Sequence, residues 1–418
     1  MTEGRVGSSA NNTDDISDIS AVVLAGNFPL VVKHILSFLP AKQLNTAARV
    51  CKQWSQLAKE IRECRRSLAW FMAIPDEEED STSLADKIKI FLDGLWSEPH
   101  TVVAFMSSAL YEEQLVLPNQ TGRRQHCSRA AKCVKVELEQ YIEEKLPSQC
   151  SLFGSAADGA VGTEWRSTRS VEVEGEKALT MLLLPHLPGL DILSFTMDIY
   201  SSETNWHMAI DELESRDVDI TTISGIPPDK NVRAVLFFCD EPFCPPEIGH
   251  SILNKYKDAI VAGGYVDNLV VKPKPKSSDT SSEDSFPTIL CLAFCGDNLR
   301  VWSVIIRESV SNAEDAEKQI RQLKTSEVSE EKSFAFMFAC VGRGEGLYLQ
   351  RNVESDAFHK VFPRTPLFGF FGNGEIGFNS LPGAVSSGHK SNIESKGERI
   401  LPKLYHAYTT IICLFSVV

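Results

Sequence analysis

With 418 residues, 43% of them hydrophobic and 23% charged, the chain has the composition of folded globular protein and a length that favours two or three cores over one. A formal net charge of −14 argues against a general nucleic-acid binder, and the longest apolar runs, such as Ile411 to Val418, are far too short to cross a bilayer. Neither direct nucleic-acid binding nor membrane insertion is expected. Eleven cysteines spread over the whole chain lack the dense spacing of a disulfide scaffold, which indicates a reducing compartment. Cys239 with Cys244 and Cys291 with Cys295 have no second ligand pair, so no metal and no cofactor is expected.

Residues 1–21 carry Asp14, Asp15 and Asp18 among serines and asparagines, and read as a disordered tail rather than a signal peptide. A helical module follows over residues 22–70. Asn27 is a suitable N-cap and Pro29 suits a first turn, so a helix begins there with Val31, Ile35, Phe38 and Leu39 on one face, and Pro40 stops it. A second helical stretch places Leu44, Ala47, Ala48, Cys51, Trp54, Ala58 and Ile61 at spacings of three and four. From Phe28 to Trp70 there are eight Lys or Arg against two Glu, so a basic module leads an acidic body. A core this small is at the limit of self-sufficiency, and its leftover apolar surface calls either for a partner or for packing on the rest of the chain.

Residues 71–98 hold the acidic run Asp76 to Asp80 and a helix expected from Ser83 to Leu95. The remainder divides into residues 99–271 and 288–418 about a low-complexity stretch at 272–287, which contains Lys272-Pro273-Lys274-Pro275-Lys276. Strands are expected at Thr101 to Met106, Val232 to Cys239 and Phe334 to Ala339. A hairpin about Gly296-Asp297 should join Thr288 to Cys295 with Leu299 to Ile306, and Tyr405 to Val417 should form a last, central strand. Helices are expected at Glu247 to Ala262 and Asn312 to Leu323.

The body contains an internal repeat. Residues 152–162, from Leu152-Phe153-Gly154 through Asp158-Gly159 to Gly162, align without gaps to residues 367–377, from Leu367-Phe368-Gly369 through Asn373-Gly374 to Gly377. Each copy follows a strand-like run and then a helical stretch, so a strand, helix, strand, glycine-turn unit is used twice in an α+β body.

The order Phe28-Pro29, Ile35-Leu36-Ser37-Phe38-Leu39-Pro40, Leu44 and Val50-Cys51-Lys52-Gln53-Trp54 resembles the F-box signature. Phe28 stands where leucine is usual, and the common acidic residue before Leu44 is missing. Ala262-Gly263-Gly264 and residues 369–377 resemble the FIST module, whose N- and C-terminal halves occur in bacterial sensory proteins and some eukaryotic F-box proteins. The resemblance implies a small all-helical F-box followed by a two-halved α/β FIST body. It further implies a non-catalytic substrate-recognition subunit of a Skp-cullin-F-box ubiquitin ligase, in cytoplasm and nucleus, that recruits target proteins for degradation. Phe28, Pro29, Ile35, Leu36, Leu39, Pro40, Leu44, Val50, Cys51 and Trp54 would bind the acidic Skp adaptor and, through it, a cullin scaffold. The module's positive charge has the sign such a partner needs. The alternative is a small-ligand sensory module whose pocket gates protein binding.

In the body, Gly154, Asp158, Gly159, Cys340, Arg343, Asn373, Gly374 and Glu375 are the candidate ligand or substrate face, expected at exposed strand ends. Arg343 beside Cys340 could lower the thiol pKa, with His359 as a conceivable base, but a buried strand-end cysteine is the commoner fate. Gly372-Asn373-Gly374-Glu375-Ile376-Gly377 spells a dinucleotide fingerprint without the helix it requires, so turn glycines are the better reading. Arg123, Arg124, His126, Arg129, Lys132 and Lys135 form a basic cluster that fits a recognition patch, an import signal or a solvated loop.

Overall fold

The computed structural model describes residues 29–75, 81–118, 133–165, 167, 169–197, 224–240, 246–272, 287–383 and 401–417. The chain divides into two units: residues up to 67 with 91–98, and residues 68–90 with 99 onward.

The first unit is helical. Pro29 opens the helix Pro29–Leu36, Pro40 precedes the helix Ala41–Ala47, and the longest helix is Lys52–Cys64. The stretch whose spacing reads as one helix is broken at Cys51, whose sulfur caps the third helix by accepting the Trp54 N–H at 3.5 Å. Val32, Leu36, Leu44, Leu57, Ala58 and Ile61 form the core, with Leu39 and Trp54 at its edge. Burying such a side chain is worth roughly 1.5–3 kcal/mol, so six of them, two no larger than valine, leave a small margin.

The body is built from three sheets. The first runs β1 (Ala69–Ala73), β8 (Leu179–Pro185), β2 (Pro99–Ser107), β5 (Ser151–Ala157), β12 (Asn268–Lys272). The second runs β9 (Asp191–Met197), β13 (Ile289–Cys295), β10 (Val232–Cys239), β11 (Ile260–Tyr265), β17 (Glu375–Ile376), β18 (Tyr405–His406). The third runs β14 (Leu299–Ile306), β19 (Thr410–Val417), β15 (Ser333–Cys340), β16 (Leu367–Gly372), β6 (Gly159–Thr163), β7 (Ser170–Glu174). A separate hairpin pairs β3 (Leu115–Pro118) with β4 (Cys133–Val136), and the latter holds Lys135 of the basic cluster; the cluster's other members lie outside the described residues.

The unit that the sequence displays twice occurs three times. Each sheet holds one parallel pair, β2 with β5, β10 with β11, and β15 with β16. The helices Leu138–Lys145, Pro246–Lys255 and Val353–Val361 lie between the paired strands in sequence. The second strand of each pair then crosses into a neighbouring sheet: β5 continues as β6 beside β16, β16 as β17 beside β11, and β11 as β12 beside β5. The crossings close a cycle, so the three units are related by a pseudo-threefold axis.

One glycine recurs in register. Gly154 lies opposite Ala104, Gly263 opposite Phe237 and Gly369 opposite Met337. A Cβ at these positions would sit 1.7, 1.9 and 1.7 Å from the facing carbonyl oxygen, which only glycine avoids. The next residue along each facing strand points to the axis: Phe105, Phe238 and Phe338 form a triangle with ring centroids 5.7, 6.1 and 6.4 Å apart. Phe370 packs against all three at 5.8, 6.1 and 5.1 Å. This cluster belongs to a core fed by all three sheets.

The α+β class and the helical module before a sheet-rich body are as the sequence implies. Two elements differ. The helix expected to reach Ala262 stops at Lys255, because Ile260–Tyr265 pairs with β10. The hairpin expected about Gly296-Asp297 is instead a passage from the second sheet to the third, since β13 pairs with β9 and β10 while β14 pairs with β19. Tyr405 to Val417 does end in a central strand, β19, between β14 and β15.

Most of the stretch 272–287 lies outside the described residues, and strands from both sides of it share the second and third sheets. Limited proteolysis is therefore expected to cut within residues 273–286 first, with the two fragments remaining together on size exclusion. Separation of the fragments without denaturant would contradict the shared sheets.

Candidate functional site

The helix Pro29–Leu36 has two apolar faces. Val32 and Leu36 point into the small core, whereas Leu30, Val31, Ile35 and, just past the helix, Phe38 lie in solvent, Ile35 being 60% and Phe38 67% exposed. Val50 is exposed as well. Among the residues that the resemblance assigns to adaptor binding, Pro29, Ile35, Val50 and Cys51 are exposed and Leu39, Pro40 and Trp54 are half-buried. Leu36 and Leu44 are core residues, able to act only by holding the helices in place. Phe28 lies outside the described residues. The assigned set omitted Leu30 and Phe38. The signal for Phe38 was present, because Val31, Ile35 and Phe38 share a helical face; what the spacing did not reveal is that this face is the outer one.

Arg65 ties the module together. Its guanidinium donates to the Trp96 and Ser37 carbonyls at 3.0 and 2.9 Å and lies 3.7 Å over the Trp96 ring. A groove of about 430 Å³ runs between Leu30, His34, Ile61, Arg65 and Trp96.

In the body, the pseudo-threefold brings the crossings to one end of the axis. Counting on from the recurrent glycines, Asp158, Asp267 and Asn373 occupy equivalent positions, and all three are exposed. Asp267 N–H donates to the Ala156 carbonyl at 2.9 Å and Asn373 N–H to the Tyr265 carbonyl at 3.3 Å, linking neighbouring units. Burial, with Asp267 nearby, pushes the Asp158 carboxyl above its usual range. Asp267 was not among the candidates, although Ala262-Gly263-Gly264 marked the third copy.

The expectation that the whole candidate face is exposed is corrected by the burial. Gly154, Gly159 and Gly374 are buried; Cys340 is 7% exposed, and Arg343 and Glu375 are 1% exposed. The reason lies in the register: these residues sit inside paired strands or under the crossing strands. Arg343 does not activate Cys340. Its guanidinium turns inward to Glu354 at 2.6 Å, to the Tyr348 hydroxyl, and to the carbonyls of Val310 and Tyr408 at 3.1 and 3.0 Å. Burial pushes the Cys340 thiol up, and the neighbouring Glu375 carboxylate adds to the shift. The carboxyl of Glu375, which accepts from the Thr409 N–H and hydroxyl at 3.0 and 2.6 Å, is itself pushed up to about 7 by burial. His359 lies on Val353–Val361 with its Nδ1 buried and unpartnered, and no described hydrogen bond links it to Cys340. Past Gly377 the described chain forms no helix to Gly383, so the fingerprint lacks its phosphate-binding terminus.

Beside the Arg343–Glu354 pair lies Glu172, wholly buried on β7. Its carboxyl is pushed up to about 8 by burial first and by Glu354 second. One oxygen accepts the Ser355 N–H at 2.6 Å and the other has no hydrogen-bond partner. A carboxyl whose folded pKa is raised contributes stability that is complete below its unfolded value, near 4.5, and is lost as pH rises through about 8. Glu172→Gln keeps the acceptor and removes the titration. Its denaturation free energy should match the parent in mild acid and exceed it above pH 8 by on the order of 3 kcal/mol. Parallel pH profiles for the two proteins would refute this.

Comparison with known proteins places these features. Residues 31–65 match an F-box-like family model and residues 294–378 match the FIST C domain. F-box only protein 22 from Homo sapiens and from Pongo abelii are each 30% identical over 412 residues, covering 95% of this chain and 94% of theirs. A crystal structure of cyanuric acid hydrolase from A. caulinodans superposes with a TM-score of 0.32 at 9% identity, over 84% of this chain and 99% of that one. An overlap that loose assigns neither fold nor chemistry. The matched F-box-like segment, the matched FIST C domain and the near-full-length identity together mean that this chain belongs to the F-box only protein 22 family, a family of SCF-type adaptors.

Proposed function

We propose that the protein is the substrate-recognition subunit of an SCF-type ubiquitin ligase. The first unit docks on the Skp adaptor, and through it on a cullin scaffold; the body selects target proteins; other subunits transfer ubiquitin. The observation that carries this reading is the outer apolar face of Pro29–Leu36, with Leu30, Val31, Ile35 and Phe38 in solvent on a module whose core is only six residues. Positive charge around that face suits an acidic adaptor.

For the body, the recognition surface we propose is the end of the axis where Asp158, Asp267 and Asn373 are exposed, with Val341 and Tyr408 as exposed apolar groups at the strand ends. Cys340 and Glu375 lie beneath it and support it. Affinity purification of the full chain should recover adaptor, cullin and target proteins together. The chain lacking residues 1–67 should retain the targets and lose the adaptor; if the targets vanish as well, the body is not the selecting part.

A further inference from the structure

At the other end of the axis the three units are not equivalent. One cross-strand pair in each sheet faces the axis at the same level: Phe334 with Phe415 in the third, Ala234 with Phe294 in the second, Thr101 with Leu184 in the first. The third sheet thus fills this level with two aromatic rings, stacked at 5.0 Å, and the second with one, which lies 4.8 Å from Phe415. The first sheet supplies none. The chain also leaves the sheets differently: three residues, Gly296 to Asn298, join β13 to β14, whereas five, His186 to Leu190, join β8 to β9. Smaller side chains and a longer link leave a pocket of about 310 Å³, at the small end of the range in which proteins hold small ligands, about 300–1,000 Å³.

The pocket has an apolar floor and a polar mouth. Leu184 and Leu190 are buried, Ile192 and Leu193 are half-buried, and His100, His186 and Asp191 are exposed around the opening. The two imidazole rings stand edge to face with centroids 5.9 Å apart, and the Thr101 hydroxyl lies 3.4 Å from His100 Nδ1. Asp191 is paired with Lys230, so its charge is compensated and does not repel an anion. Two imidazoles offering N–H groups above an aliphatic floor suit one class of ligand. We propose that this pocket binds a small carboxylate with a branched aliphatic or aromatic body, the body resting on Leu184, Leu190, Ile192 and Leu193 and the carboxylate between His100 and His186. A free organic acid and the carboxyl terminus of a peptide ending in an apolar residue share this chemistry.

The test is calorimetric titration of the full-length protein with isovalerate, hexanoate and hydrocinnamate, and with acetyl-glycyl-leucine as the peptide carboxyl terminus, each beside its primary amide. At least one carboxylate should bind saturably, with its amide about ten- to hundredfold weaker, the loss expected when charge-assisted hydrogen bonds are removed. Preference for the free acids or for the dipeptide identifies the source. Leu184→Phe, which installs the ring already present at both equivalent positions, should abolish binding; His186→Ala, a change at an exposed side chain, should weaken the carboxylate to the level of its amide. Failure of all the carboxylates to bind, equal binding of acids and amides, or parent-like binding by His186→Ala or by folded Leu184→Phe would overturn the proposal.

Discussion

Replacing Ile35 and Phe38 together by aspartate should reduce affinity for the Skp adaptor by roughly 10²- to 10⁴-fold while leaving the thermal denaturation of the protein unchanged. Both side chains are exposed and neither belongs to the core of the first unit, so the fold loses nothing by their removal. Burying each against a partner is worth roughly 1.5–3 kcal/mol, and two of them give the stated range before any cost of burying a charge is added. Leu44→Asp is the contrasting change. Leu44 is fully buried and its replacement should unfold the helical module itself. The same arithmetic makes Leu39 with Pro40 a poor choice for testing docking, because Leu39 packs against the core and Pro40 sets the start of the next helix. Surface plasmon resonance with purified adaptor separates the cases. Parent-like affinity in the double aspartate variant would remove the outer helix face from the account.

Alanine at any of the three recurrent glycines should prevent the body from folding. At Gly369 the new Cβ would lie 1.7 Å from the Met337 carbonyl oxygen and at Gly154 the same distance from that of Ala104, and at Gly263 1.9 Å from that of Phe237. The obstacle is backbone inside a paired strand, so relief requires breaking the parallel pair on which the unit is built. We expect a loss of more than about 4 kcal/mol, in the range of the severest single substitutions. Gly175→Ala is the control: its φ is +68°, but nothing lies within 4 Å of the added atom, so only backbone strain of about 1 kcal/mol is expected. Soluble yield and denaturation midpoint measure the effect. If Gly263→Ala alone were harmless, the third unit would not share the packing of the other two.

That third unit marks the limit of what the sequence made legible. Gly154 and Gly369 stand in segments alike enough to align by eye, and they predicted the strand, helix, strand order and the α+β class. The unit around Gly263 kept the glycine and the parallel pairing but lost the flanking Leu-Phe, so periodicity carried the preceding helix through Ala262. The passage at Gly296-Asp297 has the composition of a hairpin turn, and only long-range pairing assigns its strands to different sheets. Among the candidate residues the turns were found, but their depth was not. Whether Arg343 faces Cys340 or Glu354 depends on the helix Val353–Val361 and on β7, neither of which is local in sequence. On the helical module, the spacing identified the Val31–Ile35–Phe38 face but gave no means of telling an inner apolar face from an outer one.

The central claim is that one chain couples a docking helix face to a separate selecting body. The most direct measurement compares cells expressing the parent with cells expressing the Ile35→Asp, Phe38→Asp variant, quantifying proteins captured by each and the ubiquitin attached to them. The account predicts the same captured proteins in both cases, with adaptor, cullin and ubiquitin present only with the parent and the captured proteins more abundant with the variant. Equal ubiquitination of the captured proteins with parent and variant would contradict it.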